Sequence, residues 1–138
     1  GRDGARVPLP WDGESTPFGF TTGTPWLPLA DSWKELTVEK QSVDPKSTLN
    51  LFRTALKLRA DHLIDQGSIT WLESPDHGSK SDSLLAFRRG NVFVYMNLSN
   101  YPVEVEITGK LLIVSAGIVD SRDGKVRIPP ISTIWVHH

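Results

Sequence analysis

Residues 1–43 carry no helical or strand periodicity, yet they hold Trp11, Phe18, Phe20, Trp26, Leu27, Leu29 and Trp33. Pro8, Pro10, Pro17, Pro25 and Pro28 interrupt any helix and demote any strand, and Gly13, Gly19 and Gly23 mark turns. Connections in compact domains usually run to about 4–6 residues, and a much longer one is either functional or a linker. Flexible linkers are rich in Gly, Ser and charge, whereas this stretch is apolar. It is therefore expected to be ordered against a surface, because large aromatic side chains need something to pack on. Three of the five tryptophans lie here, so part of that surface is expected to lie outside this chain.

The pattern then changes twice. In "DPKSTLNLFRTALKLRADH", Asp44 suits an N-cap and Pro45 the first helical position. Leu49, Phe52, Leu56, Ala60 and Leu63 come next at a spacing of three to four, widened by Leu51, Ala55 and Leu58, while Arg53, Lys57, Arg59 and Asp61 fill the polar side. This predicts an amphipathic helix over 45–63. From Ser68 onward short strands are expected: "SITWLE", a polar turn at "PDHGSKSD", and "SLLAFRRGNVFVYMNLS" as two strands meeting at Gly90-Asn91. "VEVEI", "KLLIVSAG" and a last pair in "KVRIPPISTIWVHH", broken by Pro129-Pro130, complete seven or eight strands. The expected architecture is an antiparallel β-sandwich, with Trp71, which alternates with Ile69, on its core face.

Composition removes several classes of function. Net charge is −1, so nothing favours nucleic acid or an anionic membrane. No apolar run approaches the roughly 20 residues of a membrane helix. Cysteine is absent, which removes disulfides, thiolate metal sites and a Cys nucleophile, and fits a reducing compartment, the cytoplasm, with an extracellular location as the alternative because many secreted bacterial proteins also lack cysteine. His62 and His77 are far apart, no Ser or His has a nucleophile-elbow context, and "GSKSD" lacks phosphate-loop spacing; no metal or cofactor is expected.

Four motifs in order, "RDGARVPLPWD", "GFTTGTPWLPL", "SWKELTVEKQ" and "DPKSTLNLFRTALKLR", resemble the C-terminal end of family 13 glycoside hydrolases, in the α-glucosidase and oligo-1,6-glucosidase branch. The first motif there usually reads Arg-Asp-x-x-Arg-Thr-Pro-Met-x-Trp; Val7 and Leu9 replace the common Thr and Met. The resemblance implies that residues 1–66 are the end of a catalytic (β/α)8 barrel, its post-strand-8 loop and last helix, and that 67–138 are a C-terminal antiparallel β domain. Nearly all of the barrel would then lie outside this chain, as a missing portion of the same protein.

Retaining hydrolysis of a glycosidic bond needs a nucleophilic carboxylate and a general acid/base about 5–5.5 Å apart. In the family these come after the fourth and fifth barrel strands, which this sequence does not contain. The acids present offer no substitute: Asp12 and Glu14 sit in a turn, Glu35 and Glu39 near an exposed segment, and Glu104 and Glu106 on one alternating strand face. The resemblance does carry a substrate role onto Arg6, whose match in exo-acting α-glucosidases binds hydroxyls of the terminal glucose and pairs with a barrel Asp. A guanidinium suits this, offering rigid and permanently charged donors. Without the resemblance, Arg6 reads as a structural or surface arginine. Asp3 either orients Arg6 and contributes to binding, or belongs to the loop's own fold.

The chain alone is thus expected to be inactive, as part of an enzyme acting on α-glucosides of oligosaccharides or on sucrose. The alternatives are a separable carbohydrate-binding or structural β module, favoured by an exposed aromatic row, and part of a non-catalytic relative. Trp26 and Trp33 either stack on sugars or pack against the barrel.

Overall fold

The computed structural model describes residues 2–63, 67–72, 83–122 and 124–138. They form two compact units, Gly1–Arg53 and Thr54–His138.

In the first unit, the stretch expected to be wholly irregular contains a 3₁₀ turn at Asp3–Ala5, another at Asp31–Leu36 and a short helix, α1 (Val38–Val43). Helix α1 is stable in a proline-rich context because its orphan N-terminal amides find acceptors. Val38 N–H donates to Pro10 O (3.0 Å), Glu39 N–H to Trp11 O (2.9 Å), and Lys40 N–H to Oγ1 of the N-cap, Thr37 (3.3 Å). Thr37 is fully buried, and Pro8, Phe18 and Leu29 are buried apolar side chains among the described residues of this unit.

Helix α2 (Thr48–Leu63) begins later than expected. Asp44 and Ser47 both have N-cap chemistry, but Asp44 is committed to closing α1: its N–H bonds Lys40 O, and its carboxylate accepts from Lys46 N–H (2.9 Å). The cap is Ser47, whose Oγ accepts from Asn50 N–H (3.2 Å) and donates to Gln41 O (2.7 Å). The Asn50 amide donates to Gln41 O and Asp44 O (2.9 and 2.8 Å), satisfying carbonyls at the corner between the helices. The helical period is as predicted, but the face it defines is largely bare: Phe52 is 63% and Leu56 60% exposed, whereas Leu63 is buried.

The second unit is an antiparallel sandwich, as expected. One sheet has the order β1-β2-β3-β8-β5, made of β1 (Thr70–Trp71), β2 (Leu84–Arg89), β3 (Val92–Asn97), β8 (Ser132–His137) and β5 (Lys110–Val114). The other has the order β4-β7-β6, made of β4 (Val103–Glu106), β7 (Lys125–Ile128) and β6 (Asp120–Arg122). Gly90 turns the β2–β3 hairpin with φ +57°, which a residue with a Cβ rarely adopts. Period-two alternation assigns the faces. Ala86, Tyr95, Ile134 and Val136 meet Val105, Val126 and Ile128 of the facing sheet, while Val92 and Val94 pack with Leu63 of α2.

Two expectations change here. Strand β6 is a polar Asp-Ser-Arg segment without apolar alternation, so only its pairing with β7 identifies it. Trp71 is 64% exposed rather than on the core face. Strand β1 is a two-residue edge strand, and Trp71 rests edge-on against Phe87, ring centroids 5.4 Å apart. The predicted turn at "PDHGSKSD", with His77, lies outside the described residues.

A polar cluster pins one end of the sandwich. Asn97, 1% exposed, donates through Nδ2 to Tyr101 O (2.8 Å), Ile128 O (3.2 Å) and Pro129 O (2.8 Å). Its Oδ1 accepts from the Ser99 amide (2.9 Å) and hydroxyl (2.7 Å).

Candidate functional site

Asp3 and Arg6 occupy the two ends of one 3₁₀ turn. Arg6 N–H donates to Asp3 O (2.9 Å), so the motif's first acid and second arginine are fixed by the backbone three residues apart. Both residues are exposed. The Arg6 guanidinium makes no hydrogen bond or ion pair with any described residue, including Asp3. The structure thus brings the two residues together through the main chain and leaves the guanidinium donors open.

The segment after Arg6 is tightly held. Pro8 is buried, and Pro8 and Pro10 fix φ on either side of Leu9. Beyond them, the Phe18 carbonyl accepts from both Trp11 N–H (2.8 Å) and Asp12 N–H (3.1 Å). Phe18 is 1% exposed and has φ +51°, the left-handed region that a bulky L-residue occupies only under constraint. Gly19 is next with φ +68°, a conformation that favours glycine, and a Cβ there would displace the Asp12 carboxylate. Glu39 closes the loop by accepting from Gly13 N–H (3.3 Å).

A cluster of opposite charges in the first unit is of another kind. Lys40 Nζ lies 2.9 Å from Glu14 and 3.4 Å from Glu35. The Lys40 hydrogen bond, and then its charge, hold the Glu14 carboxyl below the usual range, while Glu14 raises Lys40 above the ordinary lysine value. An acid held ionised by an ammonium is a poor proton donor at neutral pH, so this is a surface tie. Glu104 and Glu106 are exposed on β4, and Glu104 pairs with Lys125 (3.2 Å). Among the described residues no cluster of three or more His, Asp or Glu is placed to hold a metal. No helix there is long and apolar enough to cross a membrane.

The sequence does carry signals for the loop's clamp. "PFG" places a bulky residue before glycine in a turn, and Thr37 with Glu39 marks a short helix start. The aromatic candidates differ: Trp26 is 91% exposed and Trp33 half-buried.

Residues 1–67 match the alpha-amylase family ("alpha amylase, catalytic domain"). An oligo-1,6-glucosidase of Parageobacillus thermoglucosidasius is 42% identical over 64 residues, covering 46% of this chain and 11% of that protein. A probable alpha-glucosidase of Rhizobium meliloti is 36% identical over 138 residues, covering 94% of this chain and 24% of that one. A crystallised trehalose-6-phosphate hydrolase of Bacillus licheniformis superposes with a TM-score of 0.75 at 25% identity, covering 99% of this chain and 26% of that one. The chain therefore spans only a minor part of the length of the relatives it matches.

Proposed function

Through residues 1–67 this chain belongs to the alpha-amylase family of glycoside hydrolases, and from that premise we propose that it is the C-terminal part of a retaining α-glucosidase. The enzyme acts on α-glucosidic bonds of oligosaccharides or sucrose. Residues 1–66 complete its catalytic barrel, and 67–138 form its C-terminal β domain. Arg6 binds hydroxyls of the terminal glucose and pairs with a carboxylate of the barrel portion, while Asp3 shapes the turn that presents it. The observation that carries this reading is the placement of Arg6: a guanidinium unengaged among the described residues, on a backbone clamped immediately downstream, in a stretch that matches a catalytic domain. Exposed Trp26, Phe52 and Leu56 support a barrel body packed over the first unit and α2. A chain without cysteine fits the cytoplasm.

The test is a graft, in which this whole chain replaces the matching segment of the Rhizobium meliloti relative. The isolated chain is expected not to turn over p-nitrophenyl α-glucoside, since on this reading the catalytic carboxylates belong to the barrel portion. The graft is expected to hydrolyse it with retention. Arg6→Ala should lower kcat/KM of the graft by about 100-fold, the scale of removing one charge-stabilising donor. Turnover by the isolated chain, or a graft indifferent to Arg6→Ala, overturns the proposal.

Exposed Trp71 favours a second reading, sugar binding by the β domain itself. Titration of maltose and isomaltose against the whole chain and its Trp71→Ala variant decides it: saturable binding lost in the variant supports this role, and no binding removes it.

A further inference from the structure

We propose that Phe18 is the positioning residue for Arg6: buried and held at positive φ, it fixes the segment that carries the guanidinium without touching the sugar. The inference rests on the sugar-binding reading of Arg6.

The direction of one carbonyl is decisive. At φ +51° the Phe18 backbone reverses, and its C=O accepts from two successive amides, Trp11 and Asp12. On the same short segment, the Pro10 and Trp11 carbonyls accept from Val38 and Glu39 at the start of α1. Residues 10–12 are thereby held from both sides, by their own amides and by their own carbonyls. Packing is close as well, since the Asp12 carboxylate fills the space that a Cβ of Gly19 would occupy. From this fixed point the chain runs back to Arg6 through Pro10, Leu9, buried Pro8 and Val7. A Pro-x-Pro link has two locked φ angles and behaves as a semi-rigid spacer, so the position set at residue 10 is carried to residue 6. At its far end, the Arg6 amide bond to Asp3 closes the 3₁₀ turn.

A left-handed conformation at a buried phenylalanine is disfavoured locally and persists only where surrounding contacts over-determine it. Here the burial of the ring and the doubly used carbonyl are those contacts. An asparagine or glycine would relax the backbone but surrender the anchor. The combination of a strained backbone and a fully buried ring is what a fixed-geometry support requires.

A double-mutant cycle in the Rhizobium meliloti graft tests the inference. Phe18→Ala is expected to lower kcat/KM for p-nitrophenyl α-glucoside at least tenfold when Arg6 is present, and less than twofold in the Arg6→Ala background. Phe18→Leu keeps an apolar side chain at the site and is expected to restore most of the loss; it also serves as the test if Phe18→Ala does not fold. In that case Phe18→Leu should show a smaller loss, again confined to the Arg6 background. Equal losses in both backgrounds mean that Phe18 supports the fold in general, and the inference is overturned. If Arg6→Ala by itself has no effect, the sugar-binding reading fails, and the inference fails with it for a distinguishable reason.

Discussion

Replacing Asn97 by alanine removes five hydrogen bonds from one end of the sandwich, but they are not equivalent. The Pro129 carbonyl keeps a second donor in the Ser132 hydroxyl (2.8 Å), and the Tyr101 carbonyl can take the single Ser99 hydroxyl hydrogen (2.8 Å) once Asn97 Oδ1 no longer competes for it. The Ser99 amide loses the side-chain acceptor it holds, and the Ile128 carbonyl loses its side-chain donor in a residue with no exposed surface. Two buried groups at about 1–3 kcal/mol each give an expected loss of about 3 kcal/mol. For a domain of this size that corresponds to a fall in Tm of roughly 12–24 °C. Asn97→Asp sharpens the test. It keeps the acceptor toward Ser99 but turns the donor into an oxygen facing three carbonyls, so at neutral pH it is expected to be worse than alanine. Burial among carbonyls raises the folded-state pKa of such a carboxyl above its unfolded value of about 3.9. The proton is then held more tightly by the folded chain. Stability of the Asp variant should therefore be greatest below the unfolded pKa, fall as pH rises toward the folded pKa, and stay low above it. Urea unfolding of the whole chain followed by circular dichroism reads the free energies, and hydrogen exchange at the Ser99 amide reads the local bond. A loss below about 1 kcal/mol for alanine, or an Asp variant that does not recover on acidification, refutes the reasoning.

Gly19→Ala should destabilise the first unit by about 1–2 kcal/mol through its left-handed backbone, with a further steric cost that Asp12→Ala relieves in the double variant; thermal melts of the three variants separate the two parts. Ile131 has φ +47° and is 66% exposed, so Ile131→Gly should stabilise the chain by about 0.5–1 kcal/mol, and a loss of Tm instead would show that its side chain is engaged. NMR titration should find the Glu14 carboxyl below the usual range, with the Lys40→Met variant returning it upward. Since the folded pKa is depressed, the Glu14 contribution is present above the ordinary glutamate value and lost as pH falls through the folded one; raised Lys40 loses its share only at strongly alkaline pH. Trp26→Ser should leave the stability of this chain unchanged within about 0.5 kcal/mol, because the ring is 91% exposed, yet destabilise the graft, in which the proposed barrel body would cover it.

Much of the β unit was legible because its information is local. Gly90-Asn91 between two alternating runs specifies a hairpin, and Val105, Val126, Ile134 and Val136 fall on the inner faces that alternation assigns them. Strand β6 was illegible because its three polar residues owe their conformation to pairing with β7. Helix α2 starts at Thr48 rather than residue 45 because Asp44 and Ser47 have similar capping chemistry, and only the end of α1 decides which one caps. Trp71 lies exposed despite its alternation with Ile69, because alternation reports which side of a strand a residue lies on, but not whether anything covers that side.

The same distinction holds at the candidate site. The order of residues alone determines that Asp3 and Arg6 are three apart, that Pro8 and Pro10 stiffen the segment after Arg6, and that α2 has an apolar stripe, since these depend on covalent geometry and period. Tertiary structure decides that the Phe18 carbonyl turns toward Trp11 and Asp12, and that α1 receives the carbonyls of Pro10 and Trp11. Those contacts join residues up to 28 positions apart, Pro10 to Val38. Their formation depends on closing loops whose ends are indifferent to each other until burial and hydrogen bonding offset the entropy of bringing them together.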